Sequence, residues 1–91
     1  MEKEYAEYMY QRLSADTAIR LIRSFPLRAV DRDVLIDGLV GHQGRRGWQK
    51  VYAYEIGVDV KTVSRRYQSA LKVSAKFLIA YVAGLLERPE K

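Results

Sequence analysis

Residues 48–71, WQKVYAYEIGVDVKTVSRRYQSAL, hold the pattern that decides the fold. Two amphipathic runs are joined by Gly57, Val58 and Asp59. In the first run, Trp48 to Ile56, the spacing predicts a helix with Val51, Tyr52 and Ile56 facing inward and Trp48 packed at its start. Ala53 is small where a second helix must pass close by. Gly57 accepts a positive φ and turns the chain without steric cost. Val58 is expected to plug the turn into the core, and Asp59 to cap the next helix by accepting its orphan amide protons. Val63 follows as the inward anchor of that helix. Ala53, Gly57, Val58 and Val63 together have the spacing of a helix-turn-helix, whose second helix enters the DNA major groove.

On the second helix, Val63, Tyr67, Ala70 and Leu71 share one face by i, i+4, i+7, i+8 spacing. Lys61, Ser64, Arg65, Gln68 and Lys72 share the other, flanked by Thr62 and Arg66. The outer set suits duplex DNA. Arg65 can fork onto guanine, Gln68 can pair with adenine, and Lys61, Ser64 and Lys72 can hold phosphates. Gln49 and Lys50 begin the first helix of the pair, where amide groups and a cation can clamp a backbone phosphate.

The charge distribution agrees. Residues 1–43 hold six Lys/Arg against seven Asp/Glu, net −1; residues 44–76 hold eight against two, net +6; residues 77–91 hold two of each. The whole excess of +5 therefore lies in the helix pair and its edges. A polyanion partner is the direct physical reading, because each phosphate neutralised releases counterions.

Upstream, residues 2–13 read as a helix with acidic first turns and Tyr5, Tyr8, Met9 and Leu13 along one side. Ser14 and Asp16 can cap a second helix, Ala15 to Ser24; a single helix from Lys3 to Ser24 is the alternative. Phe25-Pro26 ends this N-terminal segment, residues 1–24. Asp31 is expected to cap a support helix over 31–40, with Val34, Leu35, Leu39 and Val40 inward, Gly38 a weak point and Gly41 a stop. Residues 41–47, GHQGRRG, form a connector whose Arg45 and Arg46 can touch the DNA backbone. Its glycine spacing matches neither phosphate-loop pattern, and no strand precedes it.

Residues 72–88 continue as an apolar helix; if unbroken from Val60, it is roughly 40 Å long at 1.5 Å per residue. Its longest apolar run, FLIAYVAGLL over 77–86, is about half of the roughly 20 residues a membrane span needs, so no membrane is expected. Phe77, Leu78, Tyr81, Val82 and Leu85 spread around this helix and require cover, either from Tyr5, Tyr8, Met9 and Leu13 or from a second copy, and a homodimer reading two half-sites is the expectation.

The run EIGVDVKTVSRRYQSAL, residues 55–71, resembles the C-terminal helix-turn-helix of sigma factors, region four, and related phage-encoded transcriptional regulators. SFPLRAVDRDVLIDGLVG, residues 24–41, is similar to the helix that precedes the motif in that family. The resemblance spans residues 24–71 and implies promoter-type recognition by Lys61, Ser64, Arg65 and Gln68, with RNA polymerase as a candidate partner. The length leaves no room for the polymerase-binding and promoter-melting regions of a complete sigma factor, so the expectation is a stand-alone regulator.

The remaining composition narrows the classes. Ninety-one residues make one all-α domain of four to five helices. With no cysteine, disulfides, thiolate zinc sites and cysteine nucleophiles are excluded, which fits the cytoplasm. No paired-carboxylate or Ser-His arrangement suggests an enzyme, and no cofactor is expected. His42, alone and with no carboxylate cluster near it in sequence, does not read as a metal ligand. The alternative function is a non-catalytic assembly or adaptor protein, either a small phage packaging subunit or a factor that binds RNA polymerase.

Overall fold

Ser14 breaks what would otherwise be one N-terminal helix. Its backbone is extended and its Oγ accepts the Thr17 amide at 3.2 Å, so α1 (Glu2–Arg12) gives way to α2 (Ala15–Ser24). A single helix from Lys3 to Ser24 is therefore ruled out, and Asp16 sits in the first turn of α2 rather than at its cap. A computed structural model of the chain describes residues 2–42 and 45–87, with side chains as far as residue 84. Among these residues every regular element is helical.

Phe25 is extended ahead of Pro26, as the ring of a following proline demands, and α2 stops there. The support helix α3 (Ala29–Ile36) then starts earlier than expected. Asp31 is not its cap. Arg28 holds that position without a side-chain capping bond, and Asp31 lies in the first turn, only 4% exposed. There it accepts from Arg28 Nε at 3.2 Å and Nη2 at 3.3 Å, a forked pair reaching back three residues. The helix dipole favours a carboxylate at that place, and the guanidinium answers the cost of burying it.

α3 runs on into a π-helical turn, Asp37–Gly41, in which the His42 amide donates to the Asp37 carbonyl at 2.8 Å. The last two helices are α4 (Trp48–Ile56) and α5 (Val60–Glu87). Gly57 has φ +74°, and both its amide and that of Val58 donate to the Ala53 carbonyl, the tight stop expected of a glycine C-cap. Asp59 opens α5 through its backbone carbonyl, which accepts from the Thr62 and Val63 amides.

α5 is the axle of the molecule. Its 28 residues continue unbroken past Leu71, and α1, α3 and α4 all pack along it. Val63, Tyr67, Ala70, Leu71, Ala75 and Leu78 form the buried stripe. Ala6, Tyr10, Ile22, Val34, Leu35, Trp48 and Ala53 close over it. Two positions on α4 depart from the sequence reading: Val51 is 48% exposed and Ile56 41%. At about 100° per residue, Val51 falls on the far side of Tyr52 from Ala53. Trp48, Tyr52 and Ala53 set the inward arc, and Val51 lies off it.

The surface assigned to subunit association is also revised. Leu78 is 1% exposed inside the monomer core, and Met9, Leu13 and Phe77 pack against that core. The Phe77 ring lies 5.6 Å from that of Phe25. Tyr5, Tyr8 and Tyr81 do remain exposed, and Val82 is half-buried. Leu85 and residue 88 lie outside what is described of the tail. No described helix is long and apolar enough to cross a membrane.

Candidate nucleic-acid interface

Trp48 sets the geometry of the basic side. Its ring meets Tyr67 of α5 edge-on at 4.9 Å, Tyr52 at 6.1 Å and the His42 ring, nearly parallel, at 6.3 Å. It also lies against Gly38: a Cβ there would come within 2.6 Å of the indole. The missing side chain leaves room for the far edge of the indole's six-membered ring. Through this one ring, the π-helical turn, α4 and α5 are packed together.

The segment leading into α4 follows from that anchor. Gly47 takes φ +84°, the Trp48 amide donates to the Arg45 carbonyl at 3.1 Å, and the Lys50 amide to the Gly47 carbonyl at 3.2 Å. Arg45, Arg46 and Lys50 are exposed and Gln49 half-buried. With Gly47, Trp48 and Val60 they line an open cleft of about 310 Å³. The connector arginines, the start of α4 and the start of α5 thus meet in one place, and among the described residues that line it none is acidic.

Along α5, Lys61, Arg65, Gln68 and Lys72 are exposed; Thr62, Ser64 and Arg66 are half-buried at the edges of the stripe. The structure adds two outer residues that the sequence reading left out, Ser69 and Lys76. Their signal was present in the 3.6-residue period continued past Gln68. From Lys61 to Lys76 the stripe extends about 22 Å, and Lys61 to Gln68 only about 10 Å. The first two turns are thus comparable in length to the width of a DNA major groove, about 12 Å.

Behind this face, Tyr67 donates its hydroxyl to Glu7 Oε2 at 2.7 Å, which ties α1 to α5. Burial, with that carboxylate second, pushes the Tyr67 phenol far above its ordinary value. The Tyr10 phenol is also raised by burial. Its neighbour Ser74 has its own hydroxyl committed to the Leu71 carbonyl at 3.2 Å, and the Tyr10 hydroxyl makes no well-formed bond.

A second cluster lies beside Trp48. His42 Nε2 is 3.0 Å from Asp37 Oδ2, and one donor atom each from Asp37, His42 and Glu55 lie within 4.8 Å of one another. The premise that His42 has no carboxylates near it holds along the chain and fails in the fold. Comparison with protein-family models, with curated proteins and with solved structures returns no match.

Proposed function

We propose that this chain is a sequence-specific double-stranded DNA-binding protein acting as a transcriptional regulator, with the first two turns of α5 as its recognition element. The observation that carries the reading is the convergence of Arg45, Arg46 and Lys50 on the start of α5, in a cleft with no acidic residue among the described ones that line it. Base edges would be read by Arg65 and Gln68. Backbone phosphates would be held by Lys61, Lys72, Lys50 and the two connector arginines. The sigma region-four resemblance supports the same use of the helix pair and makes RNA polymerase a candidate neighbour. Action in the cytoplasm, and pairing of two copies through the exposed tail around Tyr81, belong to this proposal.

Selection on random duplexes, followed by anisotropy titration at graded salt, tests it. Five cations on the phosphates predict that log K falls against log salt with a slope of about −4.5, since each contributes roughly 0.9. Lys72→Ala should weaken binding to all sequences alike and flatten that slope by about one. Arg65→Ala should cost about 1–3 kcal/mol on the selected site and relax its specificity. Equal binding of selected and random duplexes by wild type and Arg65→Ala would exclude the assignment.

A specific observation favours the adaptor reading as the second choice. Tyr54 is 88% exposed on the outer face of α4, beside Val51. A protein partner would use such a ring as an anchor. Binding of purified RNA polymerase that is lost in Tyr54→Ala, without any duplex binding, would select it.

A further inference from the structure

We propose that Asp37, His42 and Glu55 form a binding site for a divalent transition-metal ion of the zinc class. The three ligands come from three places: the start of the π-helical turn, the residue that ends it, and the last turn of α4. Only the tertiary fold brings them together, with their donor atoms within 4.8 Å of one another.

Two features separate this cluster from a fortuitous group of acids. First, it contains an imidazole nitrogen as well as carboxylates, a donor set that suits zinc and its neighbours rather than magnesium or calcium. Second, the contact between Asp37 Oδ2 and His42 Nε2 is not a well-formed hydrogen bond. They are 3.0 Å apart, yet Asp37 Oδ2 is shielded from solvent and has no hydrogen-bond partner. Two donors at that separation can share a cation about 2.0–2.1 Å from each. Glu55 is exposed, so its carboxylate can close the remaining distance by a change of rotamer.

The electrostatics favour a cation there. Burial raises the nearby Tyr52 phenol, and the fields of Asp33, Asp37 and Glu55 add to it, with Arg66 opposing. Among the described residues no lysine or arginine is paired with Asp37 or Glu55. Three protein ligands leave room for water in a fourth position. An ion held here would tie the support segment to α4, and so hold the first helix of the hairpin against the scaffold. The site is independent of DNA binding.

The test uses tag-free full-length protein stripped with a chelator. Calorimetric titration with zinc chloride should show one saturable equivalent, and magnesium chloride should neither bind nor compete. His42 is the only histidine, so its ring resonances report ligation without ambiguity and should shift with the same stoichiometry. Glu55→Gln changes an exposed side chain and should keep the circular dichroism of the wild type. It should weaken zinc binding at least about 10- to 100-fold, the loss expected even for an outer-sphere partner. Asp37→Asn should do the same. The absence of saturable zinc binding would overturn the proposal and leave Asp37 and His42 as an ion pair. Equal affinity of wild type and Glu55→Gln, or unmoved His42 resonances, would overturn it as well.

Discussion

At the scale of single residues, Tyr67 joins two requirements. Its ring is needed in the core, where it is only 3% exposed and packs edge-on against Trp48. Its hydroxyl needs a partner, and Glu7 supplies one from a helix sixty residues away in sequence. Tyr67→Phe removes the donor to a carboxylate and is expected to cost about 1–3 kcal/mol in urea unfolding. The pair also sets an alkaline limit. The folded chain holds the Tyr67 proton above the pH at which the unfolded chain releases it, and Tyr10 and Tyr52 are raised in the same direction. Their contribution is complete below about pH 10 and is lost as pH rises beyond it. Urea midpoints should therefore fall above pH 10, less steeply in Tyr67→Phe, with tyrosinate absorbance rising as the fold is lost.

At the scale of elements, the join between α3 and α4 is where local preference and packing oppose each other. Replacing Gly38 by alanine would gain about 1 kcal/mol from helix propensity alone. The new Cβ would meet the Trp48 indole at 2.6 Å, and that ring is pinned by Tyr52 and Tyr67. Overpacking of this kind costs about 1–3 kcal/mol and outweighs the propensity gain. Gly38→Ala should therefore lower the urea midpoint and alter the tryptophan emission. A midpoint raised by the substitution would show that the indole can move aside. The same join explains the π-helical turn. By holding one extra residue per turn, it brings Asp37 and His42 to the same side of the chain, below Trp48.

At the scale of the whole molecule, the long α5 carries two different surfaces. Its first half carries the basic face, and its last described turns expose Ile79 and Tyr81 beyond the buried Leu78. The proposed dimer would join the tails and leave both basic faces free. Light scattering at high micromolar concentration should then give twice the chain mass, and Tyr81→Glu should halve it. A monomer under those conditions would leave the tail as a brace of its own chain only. DNA contacts would in that case be those of a single half-site, and the selected motif would lack two-fold symmetry.

Much of the architecture was legible because it depends on neighbours in the chain. The Gly57 turn, the Ser14 cap, the Pro26 break, the alternation of buried and basic residues on α5 and its continuation into the tail follow from backbone sterics and a 3.6-residue period. The position of the basic segment was legible for the same reason, since charge is counted along the chain. Other features were decided by the tertiary structure. Val51 lies outside the core because Trp48 and Tyr52 set the rotation of α4, and Ile56 is exposed as the last residue of that helix. Asp31 is buried in the first turn of α3 and accepts from Arg28 there, and it does not act as the cap. Leu78 is used within the monomer because it falls on the stripe of α5 that the monomer core covers. The grouping of Asp37 and His42 with Glu55 is the clearest case. Their separation in sequence carries no ligand spacing, and only the packing of α4 against the π-helical turn makes them neighbours.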